Sequence, residues 1–139
     1  MIDVVRKKNF FIVISVCIII AGIAAFTFIG RKPFRNLEQS DIMSATVLLM
    51  PPNEMIQIAE TSELVSNLKE IVIYNIDNSY RNYSGQAVIF TLIMSDGTQM
   101  EVMEYNPFIV INGLGYKTKY EPCEVLNNYA NSLLDDTID

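Results

Sequence analysis

A lone thiol, a scatter of carboxylates and a run of tyrosines are the side chains after residue 30 whose chemistry could be put to use. Cys123 lies between Pro122 and Glu124, where an apolar-periodic segment begins. At a helix N-terminus the dipole can lower a thiol pKa and make a nucleophile. A base is missing, because the chain contains no His, and Glu121 and Glu124 flank the sulfur with the wrong charge. Two readings stay open: a packed, inert cysteine, and a reactive or intermolecular thiol. The absence of His also removes Ser-His-Asp and Cys-His catalysis and His-ligated zinc. The 2 cysteines cannot build a thiolate zinc site or a disulfide framework. Nothing in the sequence calls for a cofactor or a metal.

Glu101, Glu104, Glu121 and Glu124 raise the paired-carboxylate chemistry of glycosidases. Spacing cannot show that any two converge. On a strand Glu101 and Glu104 have opposite parity and point to opposite faces; both are expected on solvated strand edges. Asp77-x-Ser79 has the opening of a calcium loop but neither its central glycine nor its closing glutamate, and is set aside.

Tyrosine placement is more informative. Tyr80, Arg81, Asn82 and Tyr83 stand together in a polar stretch, and Tyr116, Lys117 and Tyr120 lie beside a turn at Asn112-Gly113. Tyr, Asn and Arg are what protein surfaces use for adaptable contact. These seven residues are the candidate binding surface. The competing expectation is that the rings cap a small core with their hydroxyls in water.

The elements that would position these groups begin at the membrane. Phe10 to Ile29 carries no charge and is bounded by Arg6, Lys7 and Lys8 on one side and Arg31 and Lys32 on the other. A helix of that length spans about 30 Å, the thickness of a hydrocarbon core. Residues 1–9 read as a short basic cytoplasmic tail and 10–29 as a transmembrane anchor. A cleaved signal peptide is the rival, given the small residues Ala21, Gly22, Ala24 and Ala25, but the apolar run continues past that cut. A lipoprotein start fits less well, because Val16 precedes Cys17 where a small residue is needed. The basic flanks tie by the positive-inside rule. Of the 16 acidic residues only Asp3 precedes residue 31, and the start resembles a signal anchor. The C-terminal part is therefore expected outside the cytoplasm. With 10 Lys and Arg against 16 Asp and Glu, the chain lacks the basic footprint of a nucleic-acid binder.

Residues 30–40 read as a juxtamembrane linker, being polar with Gly and Pro. Residues 41–134 read as an extracytoplasmic α+β domain, an antiparallel sheet of five or six strands with two amphipathic helices on one face. Met43–Met50 and Met55–Ala59 form a hairpin around Pro51-Pro52. Thr61 caps a helix with an apolar stripe at Leu64, Val65, Leu68, Ile71 and Val72. Residues 75–86 are an exposed loop. Ala87–Met94 is so apolar that both of its faces are expected to be covered. Asp96-Gly97 and Asn112-Gly113 make tight hairpin turns needing positive φ. Asn106-Pro107 interrupts a strand, and Gly85, Gly97, Gly113 and Gly115 are each assigned to turns. Pro122 suits the first position of a closing helix with Val125, Leu126, Tyr129, Ala130, Leu133 and Leu134 on one face. Residues 135–139 are an acidic tail expected to fray.

Three stretches carry a family likeness: Ala45-Thr-Val-Leu-Leu-Met-Pro-Pro52, Met94-Ser-Asp-Gly-Thr-Gln99, and the segment from Asn106-Pro-Phe-Ile-Val-Ile-Asn-Gly through Asn131. Together they resemble an uncharacterised membrane-anchored extracytoplasmic domain family of Firmicutes, a domain of unknown function also appended to antirepressor-type sensor metallopeptidases. The resemblance covers about residues 33–134. It implies an accessory or sensory module and no activity, and it carries over no functional residue. The expected function is a membrane-tethered, non-catalytic binding, sensing or accessory module. It would contact the membrane through residues 10–29 and a protein partner at the cell surface. The alternatives are a small exported hydrolase using carboxylates or Cys123, and a structural subunit of a membrane complex.

Overall fold

The computed structural model describes residues 1–137, arranged as two compact units, Met1–Gly30 and the chain from Arg31 onward. The first is a single helix, α1 (Ile2–Ile29), whose most apolar 18 residues have a mean hydropathy of 2.9. It is long and apolar enough to cross a membrane. Its hydroxyls are satisfied internally: Ser15 Oγ donates to the Phe11 carbonyl and Thr27 Oγ1 to the Ile23 carbonyl, both at 2.9 Å. The helix takes in most of the basic tail, since nothing in residues 2–9 stops it.

The second unit is α+β, as expected. Its strands are β1 (Ile42–Met50), β2 (Glu54–Ile58), β3 (Ile73–Ile76), β4 (Ala87–Met94), β5 (Gln99–Tyr105), β6 (Phe108–Ile111) and β7 (Leu114–Thr118). They form one 7-stranded antiparallel sheet in the order β2-β1-β4-β5-β6-β7-β3. Helices α2 (Ser62–Glu70) and α3 (Tyr120–Asp136) complete it. The strand beyond the expected five or six is β3: α2 stops at Glu70, and Ile71 leaves it with extended backbone. Thr61 precedes α2 without a side-chain cap; instead Glu60 Oε1 accepts from the Ser62 amide at 3.0 Å.

Cross-strand register sorts the side chains into rows. Val47, Phe90, Val102 and Ile111 are neighbours across four strands, as are Leu49, Val88, Glu104, Ile109 and Tyr116 across five. These rows face the core with Leu64, Val65 and Leu68 of α2 and Cys123, Leu126 and Ala130 of α3. Val125, expected on the same stripe, is 51% exposed. The apolar face of α3 is set by Cys123, and Val125 falls beyond its edge.

Residues 31–40 are not a linker. Phe34 and Leu37 are buried in the core, and Arg31 exchanges backbone hydrogen bonds with Ile73 at 2.8 and 2.9 Å. A capping box between Glu38 and Asp41 closes a 3-10 turn at Gln39–Asp41. Ion pairs Lys32–Glu70 at 2.8 Å and Lys69–Glu38 at 2.9 Å dress the surface, where such pairs contribute little. Composition marks this stretch as polar, but two apolar side chains three residues apart anchor it.

Strand order explains the polar segment 77–86. It leaves β3 at one edge and must reach β4 in the middle, with β7, β6 and β5 between them. It does so over the face away from the helices. There Phe108 and Val110 are buried, and the rings of Tyr80 and Tyr83 pack on Phe108 at 6.5 and 5.6 Å. Farther along that face Ile89 and Met103 stay half-exposed, so β4 is covered on one face only, contrary to expectation.

The turns divide. Asn112 (φ 49°) and Gly113 (φ 83°) both adopt positive φ, as a two-residue hairpin requires. At the other hairpin only Gly97 does, closing a turn by donating to the Met94 carbonyl at 2.9 Å. Asn106-Pro107 is itself a hairpin turn, because Tyr105 pairs with Phe108. Gly115 is in a strand, not a turn: a Cβ there would run into the Asp77 carbonyl and the Tyr80 ring. Pro122 sits in the first turn of α3, after Tyr120 and Glu121. Asp135 and Asp136 belong to that helix; residues 138–139 of the expected acidic tail lie outside the described residues.

Candidate functional site

Three segments meet at one end of the sheet: residues 83–86 leading into β4, residues 104–106 ending β5, and the first turns of α3. They enclose a cleft of about 360 Å³. Tyr120, Glu124, Asn127 and Asn128 face it from α3; their spacing of i, i+4, i+7 and i+8 is one helical stripe. Tyr83, Ser84, Gly85 and Gln86 form one wall, and Glu104, Tyr105 and Asn106 form the floor and opposite side.

Glu104 is the exceptional residue. It is 1% exposed and sits in the core-facing row between Val88 and Ile109. Its Oε1 accepts from the Asn106 amide at 2.9 Å and its Oε2 from Asn127 Nδ2 at 2.8 Å. Asn127 is oriented in turn by Asn131, whose Nδ2 donates to Asn127 Oδ1 at 2.9 Å. Among the described residues Glu104 forms no ion pair. Burial therefore raises its carboxyl pKa, against the opposing pull of the Asn127 and Asn106 hydrogen bonds. The expectation that Glu104 lies on a solvated edge is overturned. Its opposite parity to Glu101 holds, since Glu101 is exposed. The missed signal was parity with Val102: a residue two positions from a core valine on a strand shares its face.

Cys123 lies behind this carboxylate, fully buried. Its thiol donates to Thr118 Oγ1 at 3.4 Å, and the Thr118 hydroxyl donates to the Val72 carbonyl at 2.8 Å. Burial pushes the thiol up to about 11, with the charge of Glu104 adding to the effect. At neutral pH such a group is roughly one part in ten thousand thiolate, far below what nucleophilic chemistry needs. Desolvation outweighs the helix N-terminus here. Glu121 faces solvent beside Lys119 at 3.9 Å, whereas Glu124 shares the cleft with Glu104.

The seven candidate binding residues separate. Tyr83 and Tyr120 come together on the cleft, exposed by 61% and 58%. Tyr80 is half-buried; its ring lies 6.5 Å from that of Phe108 and its hydroxyl donates to the Gly113 carbonyl at 3.3 Å. Arg81 stacks on Tyr80 with its guanidinium carbon 5.6 Å from the ring centre, and Asn82 is exposed beside it. Tyr116 points to the core-facing side, where the Arg31 guanidinium lies 5.7 Å from its ring centre. Lys117 is 3.9 Å from Asp77. The Ser79 hydroxyl and the Ser79 amide, the latter donating to Asp77 at 2.9 Å, hold the Asp77 carboxyl below the usual range, with Lys117 adding to the effect. Tyr105 was not anticipated; it was hidden by its place in a strand pattern. No protein-family model, curated protein or solved structure matches the chain.

Proposed function

We propose that the chain is a membrane-tethered extracytoplasmic binding module, without catalysis, that receives its ligand or protein partner in the cleft bounded by Tyr83, Tyr105 and Tyr120. The cleft carries the reading: a mainly polar lining, in which a buried, hydrogen-bonded carboxylate stands beside the exposed rings of Tyr83 and Tyr120, brings oriented polar groups and aromatic surface to one concave space. Helix α1 supplies a span of membrane length. The acidic bias of the chain after residue 30 supports an outward orientation. The resemblance to anchored extracytoplasmic domains implies the same arrangement.

A photocrosslinking amino acid in place of Tyr83, in the full chain in its own membrane, should form a specific adduct. The same group in place of Met43, an exposed residue on β1, should not. Equal adducts at both positions, or none at Tyr83, would refute the cleft as the binding site. Protease added to intact cells should remove the unit after Arg31; its full protection would invert the topology.

One observation favours a second reading, a carboxylate hydrolase: Glu104 and Glu124 line the same cleft, one buried and one exposed, the asymmetry used by acid–base pairs. Turnover of a glycoside by the wild type but not by Glu124→Gln would establish it over the first.

A further inference from the structure

On the premise that the cleft is the binding site, we propose that its ligand is a small hydroxylated organic cation, one carrying a protonated primary amine. Among the described residues Glu104 and Glu124 are the charged groups lining the cleft, with no Lys or Arg beside them there. Each oxygen of Glu104 already accepts one internal hydrogen bond. A carboxylate offers about four acceptor sites, so each oxygen keeps one that its internal hydrogen bond leaves unused. A buried carboxylate without a cation is costly, and a ligand ammonium would remove that cost. Tyr83, Tyr105 and Tyr120 line the same space, and an ammonium is attracted to an aromatic face. The amide of Gln86 and its neighbours supply partners for hydroxyl groups. An anionic ligand would meet two carboxylates and no counter-charge, and a purely apolar one would strand the amides.

The test uses the full chain in detergent micelles, isotope-labelled and titrated with matched pairs: glucosamine against glucose, and ethanolamine against ethylene glycol. The amines should shift the resonances of Tyr83, Tyr120 and Asn106 and bind at least about tenfold tighter than their neutral counterparts, the scale of one close charge pair. Glu104→Gln should abolish that preference. Should Glu104→Gln not fold, Glu124→Gln, an exposed change, should reduce the preference several-fold with an unaltered melting curve. Equal binding of amines and neutral compounds would overturn the cation while the cleft remains a binding site. No shift with any of the four compounds would also overturn it; a Tyr83 crosslink persisting in that case would preserve the broader reading, and its loss would remove both.

Discussion

Asn127 Nδ2 donates to Glu104 Oε2 at 2.8 Å, so one hydrogen bond ties helix α3 to the floor of the sheet at the mouth of the cleft. Without it Glu104 would keep the Asn106 amide, and Asn127 would keep Asn131, as its remaining partner. The pair holds the cleft wall in place and leaves the carboxylate without a positive charge beside it.

The pH dependence of stability follows from that environment. Glu104 titrates above the ordinary carboxylate range because it is buried. Below that range it is protonated folded and unfolded alike, and its contribution is fully present. As pH rises through the raised value the folded state must carry a desolvated charge, and stability is lost. Wild type should therefore lose stability relative to Glu104→Gln between mildly acidic and neutral pH. Urea melts of both proteins across that window check this; parallel curves would contradict it.

Phe34 is 5% exposed in a stretch that composition marks as a linker. Phe34→Ala should cost about 3–5 kcal/mol, the usual loss for a buried aromatic ring. A soluble fragment starting at Arg31 should melt cooperatively, and one starting at Asp41 should melt lower or not cooperatively. Equal melting of the two fragments would return residues 31–40 to linker status.

Glycine positions should differ in kind. Gly115→Ala drives a Cβ against the Asp77 backbone carbonyl and the Tyr80 ring and should cost about 1–3 kcal/mol through overpacking. Gly113→Val forces a β-branched residue to φ 83° and should cost a similar amount, about 1–3 kcal/mol. Gly85→Val, whose Cβ would meet the Tyr105 hydroxyl at an ordinary 3.5 Å, should stay within about 0.5 kcal/mol. Chemical denaturation of the three variants ranks them.

The tyrosines of the crossing segment should separate likewise. Tyr80→Ala removes the ring packed on Gly115 and Phe108 and should destabilise by about 1–3 kcal/mol. Tyr83→Ala also removes a ring packed on Phe108, at 5.6 Å, but one that is 61% exposed; it should cost less, about 1 kcal/mol, and lower crosslinking capture as well. Thermal melts read beside capture yields distinguish the two roles.

Cys123 should resist alkylation. In a Cys17→Ser background the folded protein should react with iodoacetamide at neutral pH far more slowly than the urea-unfolded chain, because burial both hides the thiol and holds it at about 11. Rapid labelling of the folded state would restore the reactive-thiol reading.

Local chemistry determined much of this fold. The uncharged run from Phe10 to Ile29 can satisfy its backbone only as a helix, whatever surrounds it. Leu64, Val65 and Leu68 recur at helical spacing, and Asn112-Gly113 tolerates the positive φ of a hairpin turn. Parity on β5 already placed Glu104 beside Val102, although a carboxylate in isolation reads as solvated. Tertiary structure decided the rest, because strand order is set by pairings between distant segments. Only the pairing of β3 with β7 sends residues 77–86 across the outer face, half-burying Tyr80 and delivering Tyr83 to the cleft. Only the burial of Phe34 and Leu37 turns a polar stretch into part of the core. Glu104 and Glu124 share a cleft because β5 ends where α3 begins, a proximity carried by long-range packing and not by any local pattern.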